Sequence, residues 1–238
     1  MLKMINNKKI LAIIPARGGS KGVPHKNIRE INDRPLISYT IEEAINSKYI
    51  DKLIVSTEDK NIAEISRKYG AEVPFLRPKE LALDETPGID PILHAVKCLA
   101  DKDCNFDYVM CLQCTSPFRK YYQIDEAIKN LYDKDADSIV SVCESEITPY
   151  WMKKIKDGKL KNFMDESMFY ARRQDIPKTY RLNGAIYLAR TEILLDIKNW
   201  YTEDTLPYIM DNTSSIDIDN MLDFKFAEFL MKETNNAR

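Results

Sequence analysis

The feature that most constrains this chain is an apolar strand that runs directly into a basic, glycine-rich loop. Residues 10–14 are apolar without interruption, and Pro15 ends the run. Glycine lets a backbone approach an anion closely and nearby cations supply charge, so the pattern predicts a buried strand followed by a polyphosphate-binding loop. An ordinary glycine-rich turn is the alternative interpretation. The loop lacks the Gly-Lys-Ser/Thr ending of a Walker A loop and the Gly-x-Gly-x-x-Gly of a dinucleotide site. Its glycines are Gly18, Gly19 and Gly22, and its cations are Arg17, Lys21 and Lys26.

Strand-like and helix-like segments alternate along the rest of the chain. Apolar residues at spacings of three and four predict helices between the strands. The alternation predicts an α/β fold with a mostly parallel sheet and right-handed crossovers. Ligands bind such sheets at the carboxyl ends of the strands, where the glycine-rich loop and the segment 113–117 both lie. The predicted strands are 52–56, 72–75, 108–112, 138–143, 183–189 and 215–219, and a last helix over about 220–231 is predicted to pack inward through Leu222, Phe226, Phe229 and Leu230.

The regular alternation breaks between residues 147 and 174. Segments 151–155 and 159–161 flank Asp157-Gly158, which predicts a β-hairpin with its turn at that pair. A hairpin inserted in an α/β domain either covers a site or meets another subunit. Because no flexible linker is visible, we expect one domain, residues 1–238, that carries 147–174 as an inserted subdomain.

Composition excludes several classes of protein. The 238 residues carry a formal net charge of -2 with a pI near 5.9, which argues against a nucleic-acid binder. No stretch reaches the roughly 18 consecutive apolar residues of a membrane span, and no signal peptide is recognisable, so we expect a cytoplasmic protein without a membrane partner. Five cysteines fit reduced thiols better than a disulfide framework. The single C-x-x-C of Cys111 and Cys114 is interpreted as two core thiols, because nothing nearby completes a metal site.

Two carboxylates alternate with isoleucines in Ile216-Asp217-Ile218-Asp219. An extended backbone places both carboxylates on one face, and such a pair favours a cation between them. Mg²⁺ is suited to this role because it binds one or two carboxylates together with substrate phosphates. In the alternative interpretation, Asp219 caps the following helix and Asp217 is solvated.

A late basic cluster completes the set of candidate groups. An arginine fork can bind a carboxylate or phosphate bidentately, although a solvated surface cluster is the commoner explanation of such residues. The cluster consists of Arg172, Arg173, Lys178 and Arg181.

Six short motifs occur in a fixed order between residue 10 and about residue 230. They are Ala16–Gly22 with Lys26-Asn27, Leu76-Arg77-Pro78 with Glu80-Leu81-Ala82, Leu112-Gln113 with Thr115-Ser116-Pro117, Arg173-Gln174, Asn183–Tyr187, and Ser215–Asp219. Their order and spacing resemble those of the CMP-sialic acid synthetases, the acylneuraminate cytidylyltransferases. The resemblance implies a three-layer Rossmann-like nucleotidyltransferase fold in which the inserted hairpin subdomain serves dimerisation.

The same resemblance implies an activity and a role for each matching residue. CMP would pass from CTP to the anomeric 2-hydroxyl of a nine-carbon acidic sugar, with release of pyrophosphate and help from Mg²⁺ or Mn²⁺. Arg17 and Lys21 would hold the triphosphate, and Asp217 and Asp219 would carry the metal, which makes these four the expected catalytic residues. The nucleotide site would also include Ala16, Ser20, Asn27, Arg77 and Gly88, and the sugar site would include Gln113, Arg173, Asn183, Tyr187, Trp200, Tyr201 and Lys153.

The resemblance also implies a homodimer in which the insertion reaches over the neighbouring active site. Some positions depart from the family pattern. Gly88 stands where other members carry serine, and Trp200-Tyr201 replaces a Phe-Phe pair beside the sugar. Lys153 matches a family lysine only after a shift, because Trp151 takes the direct match. N-acetylneuraminic acid and relatives such as legionaminic acid therefore both stay open as acceptors. A CMP-KDO synthetase-like enzyme for the eight-carbon acid sugar and a non-catalytic nucleotide-binding dimer are the alternatives.

Overall fold

The computed structural model describes residues 5, 7–164 and 176–236. Among these residues, no helix combines the length and apolar character that crossing a bilayer requires. The strands are β1 (Ile10–Pro15), β2 (Glu30–Ile31), β3 (Arg34–Pro35), β4 (Lys52–Ser56), β5 (Tyr108–Cys111), β6 (Ser138–Glu144), β7 (Lys153–Lys156), β8 (Lys159–Asn162), β9 (Tyr180–Arg190) and β10 (Thr205–Ile209). The helices are α1 (Leu36–Asn46), α2 (Lys60–Lys68), α3 (Asp90–Ala100), α4 (Tyr121–Asp133), α5 (Thr191–Ile197) and α6 (Met221–Asn236).

Six of the strands form a central sheet in the order β10-β6-β9-β5-β1-β4. β4, β1 and β5 are parallel neighbours, and so are β10 and β6, whereas β9 runs antiparallel between β5 and β6. The predicted α/β fold with a mostly parallel sheet is therefore confirmed. Because β9 runs against its neighbours, its first residues lie at the edge where the parallel strands end.

Helices cover both faces of the sheet. On one face, Ile10, Ala12 and Ile14 of β1 belong to a core cluster shared with α1, α2 and α4. On the other face, Leu11 and Ile13 pack with residues of α3 and α5. Burial on both faces is typical of parallel sheets and explains why β1 is an uninterrupted apolar run. The result is three layers, helix on sheet on helix.

Two predicted strands are wrong. Residues 72–75 make only an isolated bridge, between Glu72 and Ile54, because Pro74 lacks the amide hydrogen that a longer ladder needs. Residues 215–219 lie outside the sheet, after a turn at 212–215. The segment is held instead by a backbone hydrogen bond from Ile218 to the carbonyl oxygen of Thr115, 2.9 Å long.

The predicted inner face of the last helix is also wrong. Leu222, Phe226 and Phe229 are exposed in α6, and Leu230 is only partly buried. The helix carries apolar residues on two faces, and the other face makes the contact with the body of the protein. Its members, Phe224, Ala227 and Met231, pack in a cluster with Val23, Ile31, Leu36 and Ile218.

The predicted hairpin is confirmed as β7 and β8, which pair in antiparallel register. Asp157 and Gly158 form its turn with φ angles of 53° and 70°. Two consecutive residues with positive φ are what a type I′ turn requires. Of the predicted insertion, residues 165–174 lie outside the described residues, so its extent stays a prediction.

Candidate active site

A cleft of about 600 Å³ opens at the edge of the sheet where β1 and β5 end. This is the edge at which open α/β sheets bind ligands. The glycine-rich loop, the segment 81–91, the segment 111–115 and the segment 198–201 contribute to its walls. The predicted site residues among those lining it are Arg17, Ser20, Asn27, Arg77, Gly88, Gln113, Tyr187, Trp200 and Tyr201.

A largely buried carboxylate fixes the start of the glycine-rich loop. Glu58 accepts the backbone N–H of Gly18 at 2.7 Å through one oxygen and pairs with Arg77 at 3.0 Å through the other. Burial lowers the pKa of Arg77, and the Glu58 carboxylate opposes that shift. The Gly18 N–H is therefore already bound within the protein, and it is not one of the loop amides available to a phosphate.

The glycines of the loop are required for different reasons. A Cβ atom at Gly18 would lie 2.7 Å from a carboxylate oxygen of Asp59, the residue that caps α2. A Cβ atom at Gly22 would lie 2.0 Å from the backbone oxygen of Asp219. At Gly19 there is open space. Gly22 thus allows the loop to touch the segment that carries the two predicted metal ligands.

Lys26 makes a second contact between the same two segments. Its Nζ donates to the backbone oxygen of Ile218 at 2.7 Å and lies 3.7 Å from a carboxylate oxygen of Asp219. The Lys26 side chain is largely buried and lines the cleft. The contact with Gly22 and the bond from Lys26 together hold the loop and the aspartate segment in a fixed relation.

Asp217 has an oxygen suited to a ligand. Its Oδ1 is buried and has no hydrogen-bond partner among the described residues. Burial raises the pKa of Asp217, the nearby Thr115 hydroxyl lowers it, and the neighbouring Asp219 raises it further. A buried, unpartnered carboxylate oxygen is costly unless a cation or proton meets it. The described residues contain no group of three or more His, Cys, Asp or Glu side chains placed to hold a metal, so substrate oxygens or water would have to complete any metal site on this pair.

Gly184 brings β9 against Gln113 and Asp217. Its φ of +72° lies in the left-handed region, and an added Cβ would lie 3.1 Å from Gln113 Oε1 and 3.8 Å from Asp217 Oδ2. The buried Arg119 fixes the same junction, because its Nη1 donates to the backbone oxygens of Gln113 (3.2 Å) and Ala185 (2.7 Å).

Three aromatic side chains line another part of the cleft. The rings of Tyr187 and Trp200 are 5.6 Å apart between centroids and tilted by 39°. Burial raises the pKa of Tyr187 well above its usual range, and it also raises the pKa of Tyr201. These phenols are therefore neutral hydrogen-bonding groups that an apolar or hydroxylated ligand could contact.

The two cysteines at the cleft are buried thiols. Cys111 and Cys114 both line it, are free, and have a pKa raised to about 12 by burial. Such thiols are uncharged at neutral pH and are poor nucleophiles. Their interpretation as core thiols fits these surroundings.

Asp84 pairs with both cations predicted to hold a triphosphate. One carboxylate oxygen lies 2.8 Å from Arg17 Nη2, and the other lies 2.5 Å from Lys21 Nζ. Asp84 follows the Glu80-Leu81-Ala82 motif, but nothing in the local sequence connects it to the glycine-rich loop. Glu58 was missed for the same reason, since its importance arises from contacts across the fold. Gly184 stands within the Asn183–Tyr187 motif, but the sequence assigned no role to it.

Several predicted residues are not among those that line the cleft. Lys21, Asp217 and Asp219 are three of them, and they are placed beside it by the contacts with Asp84 and with the glycine-rich loop described above. Asn183 is buried: its amide nitrogen donates to Ser215 (2.9 Å), and its amide oxygen accepts from Ser141 (2.6 Å), so these contacts support β9. Lys153 lies on the exposed hairpin and donates to Asn162. Ala16 is fully buried behind the loop, and Arg173 lies outside the described residues. The ligand-binding roles of all the predicted site residues, inside and outside the cleft walls, stay predictions.

Comparison with known proteins extends over nearly the whole chain. Residues 11–235 match the family model described as "Cytidylyltransferase". A CMP-N,N'-diacetyllegionaminic acid synthase from Legionella pneumophila is 37% identical over 233 residues, which cover 96% of this chain and 99% of that protein. An N-acylneuraminate cytidylyltransferase from Escherichia coli is 37% identical over 232 residues, covering 97% of this chain but 54% of that longer protein. A solved CMP:2-keto-3-deoxy-manno-octonic acid synthetase complexed with CTP shares the fold, with a TM-score of 0.72 at 16% identity over 95% of this chain and 99% of that one. This chain belongs to the cytidylyltransferase family, together with the acylneuraminate cytidylyltransferases that its motifs resemble.

Proposed function

We propose that this chain transfers CMP from CTP to the anomeric 2-hydroxyl of a nine-carbon acidic sugar and releases pyrophosphate. The observation that carries the proposal is the meeting of the basic glycine-rich loop with the Asp217–Asp219 segment beside one cleft. Relatives covering nearly the whole chain are named for CMP transfer to such sugars, which supports the same activity here.

The triphosphate would be held by Arg17 and Lys21, with Ser20 and Asn27 beside it. Asn27 donates its side-chain amide to the backbone oxygen of Arg17 at 2.9 Å, which fixes the loop at the residue that bears the cation. Phosphoryl-type transfer depends mainly on positioning and on neutralising charge in the transition state. Arg17 and Lys21 would therefore stabilise the charge that develops on the departing pyrophosphate, while the sugar hydroxyl attacks the α-phosphorus in line.

Asp217 and Asp219 would hold Mg²⁺ or Mn²⁺. The unpartnered buried Oδ1 of Asp217 supports this assignment, because a divalent cation would supply the partner that the oxygen lacks. When bound, the metal would neutralise phosphate charge. Lys26 and Gly22 contribute by holding the aspartate segment against the loop, so that metal and triphosphate would meet.

The sugar would bind toward Tyr187, Trp200 and Tyr201, with Gln113 at its edge. Aromatic faces and neutral hydroxyls suit a sugar that carries acyl groups, because they offer both apolar contact and hydrogen bonds. The named relatives act on neuraminic or N,N'-diacetyllegionaminic acid, so we propose an acceptor of this class.

We further propose that the enzyme is a homodimer built on the hairpin. Ile155 and Leu160 are 78% and 73% exposed on a two-stranded unit, which is marginally stable when isolated. A concentration of exposed apolar residues favours burial against another surface, and a second copy of the chain is the proposed partner. The other exposed apolar residues nearby in the sequence are Ile147, Trp151, Met152, Phe163, Tyr180 and Leu182. Sedimentation that gives only a monomer at micromolar concentration would contradict this assignment.

We propose that the reaction takes place in the cytoplasm. All five cysteines are free thiols, and a reducing compartment keeps such thiols intact.

The test is pyrophosphate release from CTP, ATP, GTP and UTP with Mg²⁺ and a panel of acidic sugars. The panel contains N-acetylneuraminic acid, N,N'-diacetyllegionaminic acid and the eight-carbon 2-keto-3-deoxy-manno-octonic acid. We expect release with CTP and a nine-carbon acid. Preference for the eight-carbon acid would contradict the proposed acceptor, and CTP binding without release on any acid sugar would contradict the proposed catalysis.

A further inference from the structure

The strongest unexplained contact of the cleft is that of Asp84. Its two carboxylate oxygens are divided between Arg17 and Lys21, at 2.8 Å and 2.5 Å. Arg17 also donates to the backbone oxygen of Ala82 at 3.4 Å, which keeps its guanidinium on the segment that carries Asp84. The hydrogen bond from Lys21 is the largest cause that lowers the pKa of Asp84, so the group is an anion at neutral pH.

A triphosphate and Asp84 need the same donors. A phosphate approaching Arg17 Nη2 and Lys21 Nζ along these directions meets the Asp84 carboxylate, and two adjacent anions repel each other. One of them has to give way. The side chains are open to solvent, with exposed fractions of 83% for Lys21 and 42% for Asp84, and solvent-exposed ion pairs are weak. A polyphosphate, with several charges and strong acceptors, can displace such a carboxylate.

We propose that Asp84 is a counter-anion that leaves Arg17 and Lys21 when CTP binds and returns to them when pyrophosphate leaves. The inference rests on the proposed function, because it takes the triphosphate as the competing anion. By neutralising both cations in the free enzyme, Asp84 weakens the binding of CTP and of pyrophosphate alike. CMP lacks the β- and γ-phosphates, so its affinity is independent of Asp84. Asp84 thereby favours the release of pyrophosphate, because it competes with this product for Arg17 and Lys21.

The test compares Asp84→Asn with Glu85→Gln. Glu85 is an exposed carboxylate next in sequence, so its substitution changes the net charge equally at almost the same place. Isothermal titration measures the Kd of inorganic pyrophosphate, CTP and CMP, each with Mg²⁺. We expect Asp84→Asn to bind pyrophosphate and CTP about threefold to tenfold more tightly, as loss of two exposed ion pairs allows, with CMP changed by less than about twofold. Glu85→Gln is expected to change all three by less than about twofold.

Four outcomes would overturn the inference. Weaker pyrophosphate binding by Asp84→Asn would make Asp84 part of the occupied site. Equal tightening in Glu85→Gln would show a general charge effect. A lower Tm for Asp84→Asn without altered ligand affinities would indicate a purely structural contact, and absence of pyrophosphate binding by the wild type would remove the competing anion. The titration with inorganic pyrophosphate needs no sugar, so it is separate from the turnover assay that tests the proposed function.

Discussion

Replacing Gly22 by alanine tests how closely the glycine-rich loop must fit the aspartate segment. The new Cβ would lie 2.0 Å from the backbone oxygen of Asp219, whereas real Cβ contacts stay at 3.0 Å or more. The two segments must therefore separate by about 1 Å, and a misplacement of that size in a positioned catalytic group costs on the order of a hundredfold in rate. We expect the kcat for pyrophosphate release to fall by about that factor. Overpacking of about 1–3 kcal/mol should also lower the Tm by several degrees.

Gly19→Ala is the matched comparison on the same loop. Nothing lies within 4 Å of a Cβ atom at Gly19, so the same added methyl group requires no displacement there. Its loss of kcat should stay below about tenfold. The assay is CTP-dependent pyrophosphate release at saturating acceptor, with thermal melts to establish folding. Near-normal turnover by Gly22→Ala, or an equal loss in both variants, would refute the reasoning.

Three further substitutions test individual contacts. Asp217→Asn should raise the Tm of the metal-free protein at pH 7, because burial raises the pKa of Asp217, so its ionisation destabilises the fold as pH rises above the ordinary value of 3.8. The same variant should lose the increase in Tm that Mg²⁺ gives the wild type. A lower Tm of the metal-free variant would contradict the view that the buried Asp217 carboxylate destabilises the fold until a cation binds it. Glu58→Ala should lower the free energy of unfolding by about 3–5 kcal/mol, because it leaves the buried Arg77 without its partner. Glu58→Gln should keep the hydrogen bond with Gly18 and lose less stability. Equal melting curves for Glu58→Ala and wild type would count against this contact. Gly88→Ser should leave the Tm unchanged, because open space surrounds that position. It should lower the KM for CTP severalfold, because the new hydroxyl would lie in the cleft wall, where it could bind the nucleotide. An unchanged KM would mean that the hydroxyl meets no part of the nucleotide.

Most of the sheet could be predicted from the sequence because burial on both faces leaves uninterrupted apolar runs. β1 and β5 are such runs, and a helix with one apolar face such as α4 adds an equally clear period. The errors have two causes: one helix carries apolar residues on two faces, and one strand-like segment contains a proline. In α6, Phe226 and Phe224 lie on different apolar faces. The face of Phe224 is the buried one, because it contacts the cluster that contains Ile218. At 72–75 the composition is strand-like, but Pro74 prevents the pairing.

Residue chemistry at the site was predictable, whereas its pairings were not. Local sequence shows that Gly22 and Asp219 belong to functional motifs, but not that one presses against the backbone of the other from opposite ends of the chain. Glu58 and Asp84 look like ordinary surface acids until the fold brings them to the loop.

Burial then separates the roles of these two acids. The pair of Glu58 with Arg77 is largely shielded from water, with side chains 14% and 2% exposed. If Arg77 left Glu58, a charge would be stranded away from water. The pair of Asp84 with Lys21 lies in solvent, where exchange has little cost. Arg77 is therefore expected to stay on Glu58 and act on the nucleotide by fixing the Gly18 backbone, while Lys21 is free to change partners. The two sequence motifs that contain these cations cannot make this distinction, because it depends on which acid the fold buries.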